Sequence, residues 1–202
     1  MTVGGLVLAA GAGRRFGGPK QLAELDGVPL LQHAVGAMLA AEGIGPVRVV
    51  LGAHADRVVA AVDLGAAAPV VCAGWDEGMA ASLRCGVAAL DGCDWVVVTL
   101  GDQPRITAQV IAAVVTEAAR ARAECAAVRA SYDGQPGHPV ALGRSLLPAV
   151  AGLRGDVGAR DLLDAAATRA VEVGHLCRPD DVDVPEDLEA LRSRVGDRRG
   201  AG

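Results

Sequence analysis

The chain has 202 residues, a length that suits one domain. Its net charge is −5, which argues against a broad electrostatic footprint for nucleic acid or an anionic membrane. Aromatic residues make up 2% against 51% apolar residues, so no stacking platform for single-stranded bases is expected and the core must be built from Ala, Val and Leu.

Strand-like and helix-like segments alternate along the chain. Leu6–Ala9 is an apolar run that reads as a buried strand. It stops at a glycine-rich, doubly basic loop, Gly11-Ala12-Gly13-Arg14-Arg15-Phe16-Gly17-Gly18-Pro19-Lys20. After a turn at Asp26-Gly27, residues 30–41 carry apolar side chains at helical spacing. Val47–Leu51 is a short β-branched strand, 55–62 a short helix and 70–73 a third strand. Residues 79–90 form a helix with Asp76 and Glu77 near its start, where acids suit the helix dipole. Trp95–Leu100 is the strongest strand, continuous and apolar. Residues 107–122 are a long helix capped by Thr107, and 125–131 another strand. Residues 133–137 read as loop, 139–142 as a short strand, 144–150 and 159–168 as helices, 170–173 as a last strand and 185–194 as a last helix. The polar, glycine-rich residues 195–202 are expected to form a flexible tail on a single domain spanning residues 1–194.

This alternation implies βαβ units and a mainly parallel sheet with helices on both faces. Ligands of such sheets sit at the carboxyl ends of the strands, so chemistry is sought just after Ala9 and Leu100. The five cysteines, Cys72, Cys85, Cys93, Cys125 and Cys177, form no C-x-x-C pair and read as small buried apolar residues of a reducing cytosol. No basic segment precedes the first apolar run, and no uncharged apolar stretch reaches about 18 residues. A cytoplasmic protein without leader or membrane span is therefore expected.

The first loop offers backbone N–H groups to an anion, because glycine leaves no side chain in the way. It does not match either common phosphate motif. Gly11, Gly13 and Gly17 space the third glycine one residue too far for a dinucleotide turn, and the second strand ends in Leu51-Gly52 without an acid. Gly13 and Gly18 have the P-loop separation, but Pro19 precedes Lys20 and Gln21 replaces the metal-binding hydroxyl. A strand, an anion loop and a lysine remain; a plain glycine turn with solvated arginines is the alternative.

Asp102, in Gly101-Asp102-Gln103-Pro104, follows the strongest strand and points a carboxylate into the crevice. Hard cations such as Mg²⁺ take one or two carboxylates plus substrate phosphates. A turn-capping role fits this residue equally well. Asp181 and Asp183 alternate along an extended segment and fall on one side of it, a geometry that suits a shared metal. They also decorate the start of a helix whose first residue is Pro185. Ser82 falls in the first turn of the 79–90 helix, with Arg84 read as solvated. His138, in Gly137-His138-Pro139, suits a structural hydrogen bond more than catalysis, and His33, His54 and His175 lack zinc spacing. There is no G-x-S-x-G elbow.

Taken together and in order, Leu8-Ala9-Ala10-Gly11, the basic loop ending in Lys20, Gly78-Met79-Ala80-Ala81-Ser82-Leu83-Arg84, Gly101-Asp102-Gln103-Pro104, Gly137-His138-Pro139, Gly155-Asp156-Val157-Gly158-Ala159-Arg160 and Asp181-Val182-Asp183-Val184-Pro185-Glu186-Asp187 resemble the MobA-like nucleotidyltransferases, and within them the molybdenum cofactor cytidylyltransferase branch. The resemblance runs from about Val3 to Leu191. It implies a three-layer, Rossmann-like, glycosyltransferase-A-like fold with a mostly parallel mixed sheet. It implies an enzyme that transfers CMP from CTP, or another nucleoside monophosphate, to the phosphate of a molybdopterin-type acceptor and releases pyrophosphate. A molybdoenzyme or its chaperone is the implied partner, and neither nucleic acid nor membrane is. Ala9-Ala10-Gly11 looks like the cytidylyl version of the loop; the guanylyl branch usually shows Ala-Gly-Gly.

On this resemblance, Ala9, Ala10, Gly11, Ala12 and Gly13, with Arg15 and Lys20, hold the triphosphate, Ser82 helps form the nucleotide pocket, and His138 lies toward the acceptor. Asp102, joined by Asp183, would hold Mg²⁺ or Mn²⁺; Lys20, Asp102 and Arg15 are the expected catalytic residues. The family usually has Thr before Pro-Glu-Asp. Val184 stands there instead and offers no capping oxygen, a loss typically worth about 1 kcal/mol. Two other readings stay open: a nucleotidyltransferase for GTP or another phosphorylated acceptor, such as a sugar phosphate, and a non-catalytic carrier of the molybdenum cofactor.

Overall fold

A computed structural model describes residues 1–121, 125–156 and 158–199. The strands are β1 (Val3–Ala9), β2 (Glu24–Leu25), β3 (Val28–Pro29), β4 (Val47–Leu51), β5 (Ala68–Val71), β6 (Trp95–Leu100), β7 (Ala127–Tyr132), β8 (Gln135–Gly143) and β9 (Thr168–Glu172). The helices are α1 (Leu30–Ala40), α2 (Ala55–Ala61), α3 (Met79–Ala88), α4 (Ala108–Arg120), α5 (Leu147–Val150), α6 (Arg160–Ala165) and α7 (Pro185–Arg199).

A 7-stranded sheet of order β5-β4-β1-β6-β8-β7-β9 forms the middle layer. β8 alone runs against the other strands, pairing antiparallel with both β6 and β7. Each central strand is apolar on both sides, as a doubly covered sheet requires. Alternate residues divide cleanly between two cores. Val7, Val49, Val97 and Val128 face α1, α2 and α4. Leu6, Val50, Val96 and Leu142 face α3, α5 and α6. The result is the expected three-layer α/β sandwich with a mostly parallel mixed sheet. The chain steps outward from β1 through β4 to β5, then returns past β1 to β6. That reversal leaves a crevice at the strands' carboxyl ends.

Most differences from the sequence expectations are end effects. The residue 125–131 strand begins at Ala127, and residues 144–146 turn before α5 rather than joining it. Thr107 caps α4 as expected, accepting from the Val110 N–H at 3.4 Å. The 107–122 helix ends at Arg120, and residue 122 lies outside the described residues. α7 runs past residue 194 to Arg199; residues 200–202 of the expected tail lie outside the described residues.

Two hairpins change the picture more. β2 and β3 form a small antiparallel pair around Asp26-Gly27, with φ of 54° and 78°. The expected 133–137 loop is a turn only at Asp133-Gly134, with φ of 51° and 79°, and the chain is already β8 at Gln135. Both are Asp-Gly turns with positive φ at both central residues, the geometry that matches strand twist. Among the described residues, no helix is long and apolar enough to cross a membrane.

Glu172, at the end of β9, secures the second hairpin. Its carboxylate accepts from the Ser131 hydroxyl at 2.8 Å and from the N–H groups of Asp133, Gly134 and Gly174 at 2.9, 3.2 and 3.0 Å. The Ser131 hydroxyl and these amides hold its pKa down at about 2. A depressed carboxyl stabilises the fold above its unfolded pKa, and that contribution fades as pH falls through the folded one. Replacing Glu172 with Gln is therefore expected to lower the melting temperature at neutral pH. It should also remove part of the wild-type loss of stability between about pH 4.5 and about pH 2. Thermal melts across that range check this; an unchanged acid limb would contradict it.

Candidate functional site

The loop after β1 is built by fixing its carbonyls. Gln21 Nε2 donates to the Ala9 carbonyl at 2.8 Å and the Gly11 carbonyl at 2.7 Å. The Ala53 N–H donates to the Ala10 carbonyl at 3.2 Å. His54 Nε2 lies 3.2 Å from the Ala12 carbonyl, so this nitrogen carries the proton. The Gly18 N–H reaches the Gly13 carbonyl at 3.2 Å. Across a trans peptide the next N–H points opposite to the carbonyl. Each carbonyl from Ala9 to Gly13 thus has a donor within the protein, and each N–H of residues 10–14 points away from the donor that holds the carbonyl before it. None of them has an acceptor among the described residues. Successive unpaired N–H groups are the donors from which an anion-binding concavity can be made. Gly13 permits it: its φ is 64°, and a Cβ there would collide with the Gly18 carbonyl.

Opposite this loop stand the acids. Lys20 Nζ sits between Asp102 Oδ2, at 2.6 Å, and Asp183 Oδ1, at 3.0 Å. Arg15 also reaches Asp183 Oδ1, at 3.1 Å. The Lys20 and Asp102 side chains are only 17% and 21% exposed, so solvent screens their pair little. Burial works against the Lys20 charge, but Asp102 and Asp183 outweigh it and hold its pKa above the ordinary lysine value.

Asp102 is fixed by the β6 strand that precedes it. Asp183 is brought in from the far end of the chain. The Val182 N–H donates to the Asp102 carbonyl at 3.0 Å, and the Val182 side chain is buried with Leu25, Leu30, Leu188 and Leu191 in a separate small core. Phe16, from the loop's basic part, packs against the same core. The β2–β3 hairpin and α7 thus share the task of presenting Asp183. As expected, Val184 offers no oxygen to the first helical N–H groups. Asp187 Oδ2 accepts from the N–H groups of Val184 and Asp183 at 3.0 and 2.9 Å. An acid in the third helical position that reaches back in this way supplies one half of a capping box, the half that does not depend on residue 184's side chain. Asp181 turns to Gln103, whose Nε2 donates to Asp181 Oδ1 at 2.6 Å. Burial raises the Asp181 pKa against that bond, and the nearby charges of Asp102 and Asp183 raise it further.

The third wall is the start of α3. Gly78 adopts φ of 122° against the Gly155 backbone, where a Cβ would stand 2.5 Å from the Gly155 carbonyl oxygen. Ala80 N–H donates to that carbonyl at 3.1 Å, and Met79 N–H to Asp156 Oδ1 at 3.4 Å. Arg84 is not solvated as expected. It forms a two-point ion pair with Glu77, at 3.0 and 2.6 Å, and donates to the Leu153 carbonyl at 2.5 Å. These bonds close the 153–156 segment onto α3.

Together the walls enclose a cleft of about 610 Å³. Ala9, Ala10, Gly11, Ala12, Gly13, Arg15, Lys20, Ser82, Asp102 and Asp183 all line it. His138 does not; it is half-buried on β8, and its backbone carbonyl accepts from the Tyr132 hydroxyl at 2.6 Å. Burial lowers its pKa to about 4 against the pull of Asp102, so the imidazole is neutral at physiological pH. Trp75, Asp76, Glu77, Asp156 and Gln21 line the cleft without having been singled out as site residues, and His54 bonds the lining loop at the Ala12 carbonyl. For all but Asp156 the signal was position alone: each lies within about six residues of a strand end or next to Lys20.

The site can accept a cation. Asp102 Oδ1 is buried with no hydrogen-bond partner, and both carboxylates already converge on one positive charge, that of Lys20. Among the described residues no group of three metal-ligating side chains occurs. Hard cations of the Mg²⁺ type take one or two carboxylates and fill their shell with phosphate and water oxygens.

The family model for the MobA-like NTP transferase domain matches residues 5–171. Nicotine blue oxidoreductase of Paenarthrobacter nicotinovorans is 37% identical over 167 residues, 80% of this chain and 81% of that protein. The 2-C-methyl-D-erythritol 4-phosphate cytidylyltransferase of Ralstonia nicotianae is 37% identical over 122 residues, 54% of this chain and 47% of that protein. Rv0371c of Mycobacterium tuberculosis H37Rv, solved in complex with manganese, is 28% identical with a TM-score of 0.82, covering 96% of this chain and 99% of that one. The matched residues hold the loop after β1, Lys20, Ser82 and Asp102 in the walls of one cleft. The chain belongs to the MobA-like NTP transferase family.

Proposed function

We propose that the protein transfers CMP from CTP to the phosphate of a molybdopterin-type acceptor and releases pyrophosphate. The observation that carries this reading is the run of N–H groups at residues 10–14 that have no acceptor among the described residues, in a loop that lines the cleft together with Lys20 and Arg15. Such a row suits a chain of phosphates, because it offers many donors and no competing carbonyl. Ala10, in the resemblance to the cytidylyl branch, and the relationship to a cytidylyltransferase support CTP as donor.

In this reading the loop amides and the Lys20 and Arg15 cations grip the triphosphate. An ionised phosphate oxygen of the acceptor attacks the α-phosphorus in line. The new P–O bond forms as the bond to the β-phosphate bridging oxygen breaks, and pyrophosphate leaves with that electron pair. The nucleophile is already anionic, so no general base is required, and positioning and charge neutralisation carry the rate. Asp102, joined by Asp183, would hold Mg²⁺, with Mn²⁺ as a substitute, and such an ion supplies charge neutralisation at the phosphate oxygens when bound. Ser82 and the Gly78–Arg84 turn shape the nucleotide pocket. His138, uncharged, lies toward the acceptor.

The name of one relative raises oxidoreduction. The spacing of Gly11, Gly13 and Gly17, and the absence of an acid at the end of β4, speak against a dinucleotide turn here.

Pyrophosphate release with each of four NTPs, molybdopterin and Mg²⁺ tests the proposal. Acceptor-dependent release with CTP is expected. A strong GTP preference would overturn the choice of base, and tight molybdopterin binding without release from any NTP would favour a carrier. Asp102→Ala should lower that release by at least about 100-fold, the scale of losing one electrostatic group in a phosphoryl-type transition state. Its melting temperature should fall, because Lys20 loses a barely screened partner, while its far-ultraviolet circular dichroism should stay that of a folded protein. Wild-type turnover in this variant would refute the role given to Asp102.

A further inference from the structure

Gly11 and Gly13 leave the loop free to flip its peptides, since nothing on their Cα atoms resists rotation. A flipped peptide would turn a carbonyl toward the cleft and repel a phosphate. Something outside the loop must therefore hold the carbonyls back. Two side chains do so. Gln21 is 5% exposed, and both N–H bonds of its amide are spent on the carbonyls that bracket Ala10. The opposite amide orientation would set Oε1 against those two oxygens, so the donor direction is fixed by the site itself. His54, which follows β4, holds the next carbonyl, that of Ala12, through Nε2. Neither side chain need touch a phosphate to matter.

We propose that Gln21 and His54 are positioning residues that keep the loop's N–H groups turned toward the bound phosphates. The inference rests on the nucleotide reading of the cleft. It assigns to this pair a part of the phosphate affinity that the charged residues do not supply. Gln21 shares one short turn, Lys20–Leu22, with Lys20. The turn therefore delivers a phosphate cation and the clamp on the amides as one rigid piece. Because the clamp needs donors, a carboxylate of the same shape at position 21 fails twice. It cannot donate, and it repels both the carbonyls and the ligand.

Inorganic tripolyphosphate is the probe, titrated calorimetrically into the whole protein with thermal melts run alongside. Gln21→Met is expected to weaken binding by about tenfold, the scale of losing hydrogen bonds that order a site, and Gln21→Glu by more. His54→Leu should weaken it severalfold. His54→Gln, which places an amide N–H where the imidazole Nε2 stood, should recover most of the loss. A packing role alone would lower the melting temperature of both His54 variants without this split in affinity. Wild-type affinity in Gln21→Met and His54→Leu would overturn the clamp while leaving the nucleotide reading intact. If the wild-type protein binds neither tripolyphosphate nor any NTP, the nucleotide reading itself falls, and the clamp with it. Should Gln21→Met fail to fold, the His54 pair decides alone.

Discussion

The direction of the carbonyls from Ala9 to Gly13 is the constraint on which the rest of the structure depends. A peptide is planar and trans, so fixing its carbonyl fixes the neighbouring N–H. Each of these carbonyls has a donor behind it, supplied by Gln21, Ala53, His54 or Gly18. The donors come from the end of β4 and from the residue 18–21 turn. Two separate parts of the chain thus serve to orient one loop, and the loop's open face is the cleft.

Charge is arranged around that face at comparable cost. Lys20 loses solvation, and the gain from Asp102 and Asp183 outweighs it. The two carboxylates would repel each other without a cation between them. Holding Asp183 there takes a hydrogen bond from Val182 to the Asp102 backbone and a private core of Leu25, Leu30, Val182, Leu188 and Leu191. The small β2–β3 hairpin and the long α7, outside the main sheet, find their purpose in that placement. On the opposite wall, Arg84 and Glu77 pin the 153–156 segment over the start of α3, so three distant stretches meet at one volume.

Much of this was legible in the residues, and the exceptions have physical causes. Val47–Leu51 and Trp95–Leu100 have the bounds expected, because continuous β-branched runs in a doubly covered sheet announce themselves. β8 did not. Gln135-Pro136-Gly137 reads as loop because proline cannot serve a central strand, yet here β8 pairs only with β7 and is locally an edge, where proline is tolerated. It meets β6 only from Val140 onward. β2 and β3 are two residues each, too short to show alternation, and only their Asp-Gly turn was visible. In the cleft, Lys20, Asp102, Asp183 and Ser82 are lining residues that motif and strand-end position had singled out. Gln21 and His54 were not, because their work depends on which way a carbonyl points, and no spacing rule encodes that. Arg84 was read as solvated because its partners, Glu77 and the Leu153 carbonyl, come from other elements. The valine at 184 does lack a capping oxygen, and the bonds that Asp187 makes back to the Val184 and Asp183 N–H groups were not visible because they depend on the fold of the helix start.

The central claim is that the amides of residues 10–14, rather than basic side chains alone, receive the phosphates. Amide proton and nitrogen shifts of ¹⁵N-labelled protein, followed during titration with CTP and Mg²⁺, address it directly. The account predicts large downfield proton shifts, the mark of new hydrogen bonds to anionic oxygen, concentrated at Ala10, Gly11, Ala12, Gly13 and Arg14. Saturable CTP binding that leaves those amides unmoved, with shifts confined to other parts of the cleft, would contradict it.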